Sequence, residues 1–221
     1  MRIIITTTPN TIPVPFNYQE KMVGMIHKWI GACNQYHDSM SLYSFSWLKR
    51  GFAINSALNF PRGACFFINF LDENVIKLIM GAILSDPEMF CGMSVKSITL
   101  GRNPNFSKRE IFYCASPIFI KERLENGIYK QYTFYDANAS QLLKETIKNK
   151  MRLAGFDEDE TLEIQFKTSY VGKKTKLVHY HGIANKSSLC PVIIKGKPST
   201  MAFIWNVGLG NSTGIGFGSI Y

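Results

Sequence analysis

A strand, helix, strand, strand, helix, strand order that occurs twice along the chain constrains the fold more than any other feature of the sequence. The segment Arg2–Thr7 is rich in β-branched residues, and after Asn17 apolar residues recur at the spacing of an amphipathic helix. A second helical segment follows Asp72, whose side chain can cap a helix. The other predicted strands of this half cover residues 42–48, 64–71 and 93–100.

The second half repeats this order in outline. A strand is predicted over residues 111–120 and a helix over 139–154, and residues 162–166 alternate between apolar and polar as a strand does. Pro198 suits the first position of a short helix that runs to Val207. The remaining predicted strands cover residues 177–184, 191–195 and 215–220.

Two successive units of this order predict an α+β protein with two tandem ferredoxin-like (RRM-like) βαββαβ domains. Each domain would have an antiparallel sheet with helices on one face, and the open face of such a sheet is a common platform for RNA. The polar stretch 103–109 contains Pro104 and is a suitable boundary. The expected domains are therefore residues 1–105 and residues 106–221.

The charge balance favours a polyanionic partner. The sequence has 25 basic and 16 acidic residues, which points to nucleic acid or an anionic membrane surface. The N-terminus lacks the apolar core of a signal peptide, and the longest apolar helix, near residues 75–84, is too short to span a bilayer. We therefore expect a soluble, cytoplasmic protein with no membrane partner. Its five cysteines include no C-x-x-C pair and are expected to be free thiols.

A glycine-rich segment follows the last predicted helix and contains Gly208, Gly210, Gly214, Gly216 and Gly218. Glycine lets backbone amides approach a phosphodiester closely, and the alternative is a set of tight turns needed for packing. A dinucleotide-binding or P-loop segment would follow a strand and open a helix, whereas this one follows a helix and precedes a strand. A cradle for a polynucleotide fits this context better, so no cofactor is expected.

The spacing of these glycines, Gly-Leu-Gly, five residues, then Gly-Phe-Gly, resembles the signature of the CRISPR-associated endoribonucleases that process precursor CRISPR RNA, members of the RAMP superfamily. Residues 14–19, 43–46 and 115–118 are also similar to segments of that family. The resemblance implies metal-independent cleavage within CRISPR repeats by 2′-hydroxyl attack, leaving 5′-hydroxyl and 2′,3′-cyclic phosphate ends. The implied partner is CRISPR repeat RNA, and an effector complex and a homodimer stay open as further partners.

Two histidines are the candidate catalytic residues. Proton transfer to and from the reacting oxygens suits histidine, whose pKa lies near working pH. The resemblance places a histidine after the first helix and before the next strand, which selects His37 as the general acid or base. Helical spacing turns His27 away from the apolar stripe of the first helix. Relatives carry tyrosine or histidine at that helix position, which implies that His27 positions or activates the 2′-hydroxyl.

A third catalytic role is left open. Some relatives add a lysine shortly after the loop histidine to stabilise the phosphorane, but no lysine occurs here between His37 and Lys49. Lys28, Lys49 and Arg50 are candidates for this role, and a site of two histidines is equally possible. Lys49 and Arg50 are also expected to bind RNA.

Other basic residues lie in the half that carries the glycine-rich segment. Lys173, Lys174 and Lys176 are expected to contact phosphates, and a solvated basic face is the alternative. The helix predicted over 139–154 adds Lys144, Lys148, Lys150 and Arg152.

Two further clusters could suggest a metal. His179 and His181 lie two apart on a predicted strand and would face the same side, but no third ligand is evident. The acidic run at residues 157–160 is expected to be a solvated turn, because four consecutive carboxylates cannot all converge on one ion. No metal site is expected.

Two other functions compete with the endoribonuclease. One is a non-catalytic RAMP-type subunit that holds guide RNA in a CRISPR effector complex, and the other is an RNA-recognition protein unrelated to CRISPR. The presence of both His27 and His37 favours the enzyme.

Overall fold

The protein is described by a computed structural model over residues 1–31 and 40–221, and these residues form two α+β units. The first contains β1 (Arg2–Thr7), β2 (Val14–Pro15), α1 (Gln19–Ile30), β3 (Tyr43–Phe45), β4 (Phe52–Ile54), β5 (Ala57–Asn59), β6 (Cys65–Phe70), α2 (Glu73–Ser85) and β7 (Val95–Gly101). The second contains β8 (Ile111–Phe112), β9 (Ile118–Arg123), β10 (Tyr129–Tyr132), α3 (Ala139–Leu153), β11 (Glu163–Phe166), β12 (Lys174–Tyr180), β13 (Ile183–Leu189), β14 (Val192–Lys195) and α4 (Pro198–Val207). Within the described ranges, no helix is both long enough and apolar enough to cross a membrane.

The sheet of the first unit has the ferredoxin-like strand order. Its four strands are antiparallel and lie in the order β3-β6-β1-β7. Numbered by their place along the chain, these are the second, third, first and fourth strands of the sheet. The apolar stripe predicted for the first helix is buried in α1 and includes Met22, Ile26 and Trp29. These side chains belong to one core with Ile3 and Ile5 of β1. The α+β ferredoxin-like class is confirmed.

The second unit repeats that order with a less regular last strand. β11, β14 and β8 pair antiparallel in the order β11-β14-β8. The C-terminal residues extend this sheet, since the backbones of Tyr113 and Tyr221 exchange hydrogen bonds of 2.8 and 2.9 Å. The strand predicted over 215–220 is wrong, because Gly216 and Gly218 have φ angles of 92° and 65°, outside the extended range.

Two hairpins of the second unit differ from the strands predicted for them. The strand predicted over 111–120 divides into β8 and β9, and the one predicted over 177–184 runs across the turn between β12 and β13. The hairpins β9–β10 and β12–β13 form a separate sheet in the order β10-β9-β13-β12. The ferredoxin-like core of this unit therefore carries an additional sheet.

Arg2 joins the two units. Its guanidinium lies 3.8 Å from the ring centre of Phe67 in the first unit and 3.6 Å from that of Trp205 in the second. It also donates hydrogen bonds to Asn69 Oδ1 (2.6 Å) and to the carbonyl oxygen of Ile220 (2.7 Å). Because this buried group bonds to both units, it holds them in one arrangement.

Candidate functional site

A cavity of about 780 Å³ lies between the two units. The helix α1 contributes Glu20, Gly24 and His27 to its wall, and α3 contributes Lys150. Further lining residues come from β3, from the turn after β12 and from the glycine-rich segment, and they include Tyr43, His181, Gly210, Thr213 and Gly214. The cavity is thus built from both units.

His27 lies in the last turn of α1 and contacts Tyr43. Its Nε2 atom is 3.2 Å from the Tyr43 hydroxyl, and that hydroxyl donates a hydrogen bond of 3.0 Å to the carbonyl oxygen of Gly214. Tyrosine has one hydroxyl proton and a carbonyl oxygen can only accept, so His27 Nε2 is the donor in its contact with Tyr43. The contact therefore places a proton on this ring nitrogen.

Tyr43 is held rigidly at the start of β3. It is 2% exposed, and its ring stacks on Phe70 with centroids 4.9 Å apart. Burial raises the pKa of its hydroxyl far above the ordinary value, so the group stays protonated and remains a donor. The Tyr43 hydroxyl is thus a fixed link between α1 and the glycine-rich segment.

The glycine-rich segment is buried at the junction of the two units rather than displayed on the surface. Its five glycines are all buried, and Gly210 and Gly214 line the cavity. A Cβ on Gly210 would collide with the carbonyl oxygen of Phe119, and one on Gly214 would collide with Ser41. The other three, Gly208, Gly216 and Gly218, approach Ser44, Phe45 and Leu209. Close packing therefore requires glycine in this segment, whatever else it binds.

Lys150 is buried beneath this segment, although the sequence placed it among solvated basic residues. It is 1% exposed. Its Nζ atom lies 3.2 Å from the carbonyl oxygen of Val207, 3.4 Å from that of Gly208 and 3.1 Å from Thr213 Oγ1. The expectation that Lys150 belongs to a solvated RNA-facing surface is wrong, because its amine bonds inside the protein.

The lysines expected to contact phosphates lie at the start of β12. Lys174 and Lys176 are exposed, and Lys173 is partly buried just before the strand. The Lys176 amine lies 5.9 Å from the ring centre of Trp47, whose Nε1–H donates to the carbonyl oxygen of Gly216 (2.9 Å). None of the three lysines lines the 780 Å³ cavity as the described residues form it.

The three candidates for a third catalytic role, Lys28, Lys49 and Arg50, lie away from the cavity. Lys28 forms an ion pair of 2.7 Å with Asp86 at the far end of α2. The Lys49 amine lies 4.1 Å from the ring centre of Tyr221, and Arg50 is exposed beside it in the chain. Within the described ranges the cavity lining includes none of these three residues.

The structure separates the two histidines of the predicted strand 177–184. His179 lies on β12, whereas His181 is in the turn before β13 with a φ angle of 47°. The His181 backbone N–H donates to Glu20 Oε1 (2.7 Å). His181 belongs to the cavity lining, whereas His179 does not. The prediction that both face the same side of one strand is wrong, because the chain turns between them.

The acidic run holds elements of the second unit together. Asp159 is buried, and its carboxylate accepts a hydrogen bond of 2.7 Å from the backbone N–H of Lys197 at the start of α4. Glu158 pairs with Arg152 (2.6 Å) and Lys148 (3.0 Å) of α3. The expectation of a solvated turn is therefore wrong for Asp159. Over residues 1–31 and 40–221 the structure contains no group of three or more His, Cys, Asp or Glu side chains suited to a metal ion.

His37 lies outside the described residues, so its role stays a prediction. The cavity instead shows two residues that the sequence did not single out for chemistry, Tyr43 and Thr213. Both contact partners that are distant along the chain, and no local pattern signals such a contact.

Comparisons with known proteins agree with the fold. Residues 101–221 match the family described as CRISPR associated protein Cas6, C-terminal. No curated protein matches the sequence.

Three solved structures share the fold along the whole chain at low sequence identity. A CRISPR associated protein Cas6 is 18% identical, with all of this chain and 98% of that chain covered and a TM-score of 0.83. A Cas6-related protein from Pyrococcus furiosus is 21% identical over 100% and 97% of the chains, with a TM-score of 0.86. A RAMP protein described as binding different RNA substrates is 19% identical over 100% and 98%, also with a TM-score of 0.86.

The family match covers more than half of the chain, and the two ferredoxin-like units agree with it. This chain therefore belongs to the family of CRISPR-associated Cas6 proteins, and this relation supports a role in processing or binding CRISPR RNA.

Proposed function

We propose that this protein is an endoribonuclease that cleaves precursor CRISPR RNA within its repeats without a metal. A 2′-hydroxyl loses its proton and attacks the adjacent phosphorus, the bond to the 5′-oxygen breaks, and that oxygen takes up a proton. The products are a 2′,3′-cyclic phosphate and a 5′-hydroxyl. The observation that carries the proposal is His27, which lines a cavity built from both units and has one ring nitrogen oriented by Tyr43.

The two histidines have different roles in this proposal. We assign the proton transfers to His37 and the positioning or activation of the 2′-hydroxyl to His27. Met40, which follows His37 closely in the sequence, lines the same cavity as His27, and this supports a joint site. Histidine suits both steps because its pKa allows it to accept and donate protons near neutral pH.

The RNA is assigned mainly to the second unit. Gly210 and Gly214 form part of the cavity wall, and Lys173, Lys174 and Lys176 supply positive charge on the neighbouring hairpin. Gly208, Gly216 and Gly218 hold the segment in shape, and the exposed Lys49 and Arg50 are assigned to RNA outside the cavity. With the proposed boundary, residues 1–105 carry the catalytic histidines and residues 106–221 carry most of the RNA contacts.

A cleavage assay with repeat RNA in EDTA tests this proposal. Wild-type protein is expected to cleave, because neither histidine needs a metal to transfer a proton. His37→Ala should lower the single-turnover rate by about 100-fold or more, and His27→Ala by about tenfold or more, within the usual range for general acid–base groups. RNA affinity, measured by gel shift, should change little in either variant.

His179→Ala is the matched control, since this histidine lies on β12 outside the cavity and should leave cleavage unchanged. A wild-type protein that binds the repeat but never cleaves it would instead support a guide-RNA-binding subunit. Undiminished cleavage by His37→Ala would remove His37 from the mechanism.

A further inference from the structure

The amine of Lys150 is bonded entirely to neutral groups. Its three partners are the carbonyl oxygens of Val207 and Gly208 and the hydroxyl of Thr213, at 3.1 to 3.4 Å. No ion pair to a carboxylate forms at this amine among the described residues. A charged group buried without a counter-ion is costly, so its retention needs a reason beyond packing.

The carbonyl partners of Lys150 lie at the C-terminal end of α4. Val207 is the last residue of this helix and Gly208 follows it, so their carbonyl oxygens have no partner further along the helix. The negative end of the helix dipole also favours a cation at this place. Lys150 therefore fixes the point at which the glycine-rich segment leaves α4.

The same amine fixes the part of the segment that reaches the histidine. Thr213 Oγ1 contacts the carbonyl oxygen of Ser41 at 3.4 Å, so this hydroxyl lies between α3 and the chain leading into β3. The next residue, Gly214, accepts the Tyr43 hydroxyl through its carbonyl oxygen, and Tyr43 in turn contacts His27. A continuous series of contacts thus leads from α3 to the imidazole.

We propose that Lys150 is a positioning residue of the cleavage site, which fixes the glycine-rich segment so that Gly214 and Tyr43 orient His27. The expected effect of Lys150 on cleavage rests on the proposed function, whereas its effect on the orientation of His27 does not. The ammonium has three donors and three acceptors surround it, so it acts through the segment and not by binding the scissile phosphate.

The test replaces Lys150 with methionine, which keeps the length of the side chain and removes its donors. In Lys150→Met we expect the single-turnover rate at saturating repeat RNA to fall about tenfold, because misplacement of a catalytic group slows the reaction of the bound complex. The ¹⁵N resonance of His27 Nε2 should also shift in NMR spectra recorded without RNA. Lys150→Arg, which keeps the charge and donors, should recover part of the rate.

Lys148→Met is the matched control, since Lys148 lies on the same helix but pairs with Glu158 and Glu160 at the surface. Lys148→Met should lose only the stability that these ion pairs contribute and leave both readouts at the wild-type level. A folded Lys150→Met protein with wild-type rate and His27 resonance would overturn the proposal.

Thr213→Val provides a second route should Lys150→Met not fold. This nearly isosteric change removes the hydroxyl between Lys150 and Ser41 and is expected to shift the His27 resonance in the same direction. An unchanged resonance would refute the positioning role. If wild-type protein does not cleave at all, the proposed function fails, while the resonance still decides whether Lys150 orients His27.

Discussion

The hydroxyl of Tyr43 joins the histidine of the first unit to the backbone of the second. It donates to Gly214 in a buried hydrogen bond and accepts from His27 Nε2 in a part-buried one. Tyr43→Phe keeps the stacked ring and removes this one atom. We expect a loss of about 1 kcal/mol in the free energy of unfolding, because the Gly214 carbonyl loses its buried donor. Urea denaturation measures this loss.

The same substitution should lower the single-turnover cleavage rate about tenfold, since His27 loses the oxygen that orients it. Tyr18→Phe is the control: Tyr18 is equally buried, and its hydroxyl accepts the backbone N–H of Leu48 (3.0 Å) away from the cavity. This variant should lose similar stability and keep its rate. Equal cleavage by Tyr43→Phe and Tyr18→Phe would show that the hydroxyl has no part in orienting His27.

At the scale of residues, local spacing in the sequence indicated one residue of the cavity lining but not others. Helical spacing turned His27 away from the apolar stripe of α1, and in the structure it lines the cavity. Tyr43 and Lys150 could not be found in this way, because their partners lie in the C-terminal segment, far along the chain. In a helical pattern a lysine is assigned to solvent, and only the tertiary contact with α4 shows that Lys150 is buried.

The helix α1 combines packing on one face with open space on the other. Gly24 lies one turn before His27 on the cavity side. Apart from its chain neighbours and the backbone of α1 itself, no atom of the described residues comes within 4 Å of the place where its Cβ would be. A glycine inside a helix costs about 0.5–1 kcal/mol relative to alanine. Packing among the described residues therefore does not require this glycine, and it leaves open space beside His27.

Substitutions at Gly24 should separate these two effects. Gly24→Ala is expected to raise the free energy of unfolding by about 0.5–1 kcal/mol through helix propensity. Gly24→Leu should fill the space beside His27. It should weaken repeat RNA binding about tenfold or more, because the leucine side chain sterically excludes the RNA backbone. Thermal unfolding and gel-shift titration measure the two quantities.

Gly81 provides the comparison for Gly24. It also lies inside a helix, α2, with open space around it, but it does not line the cavity. Alanine at Gly81 should stabilise the protein by a similar amount, and leucine there should leave RNA binding unchanged. Tight RNA binding by Gly24→Leu would mean that the RNA does not pass this side of α1.

The helices and most strands of the two cores follow the apolar periodicity of the sequence. Some elements of the second unit differ from those predicted from the sequence, and the reasons are local. The strand predicted over 177–184 fails at His181 and Gly182, which have φ angles of 47° and 75° and form the turn between β12 and β13. An apolar residue on each side of the turn continues the alternation, so periodicity alone extends the strand across it. The order of the paired strands was predictable because it follows from the repeated βαββαβ pattern.

At the scale of the whole molecule, buried cations lie where the two units meet. Arg2 is 6% exposed and bonds to both units, and Lys150 is 1% exposed beneath the segment that runs between them. Burial lowers the pKa of Arg2 to about 9 and that of Lys150 to about 7. Because folding takes these charges out of water, folding is coupled to protonation.

The free energy of unfolding should therefore depend on pH in a way that Lys150 controls. Below pH 7 this lysine is protonated in both states, and folding carries the full cost of burying the charge. As the pH rises the folded state loses the proton first, since the ordinary pKa is 10.5. The unfolding free energy should thus increase by roughly 2 kcal/mol between pH 6.5 and 8.5 in urea denaturation. Lys150→Met should lose this rise, and a variant that kept the wild-type slope would assign it to another group.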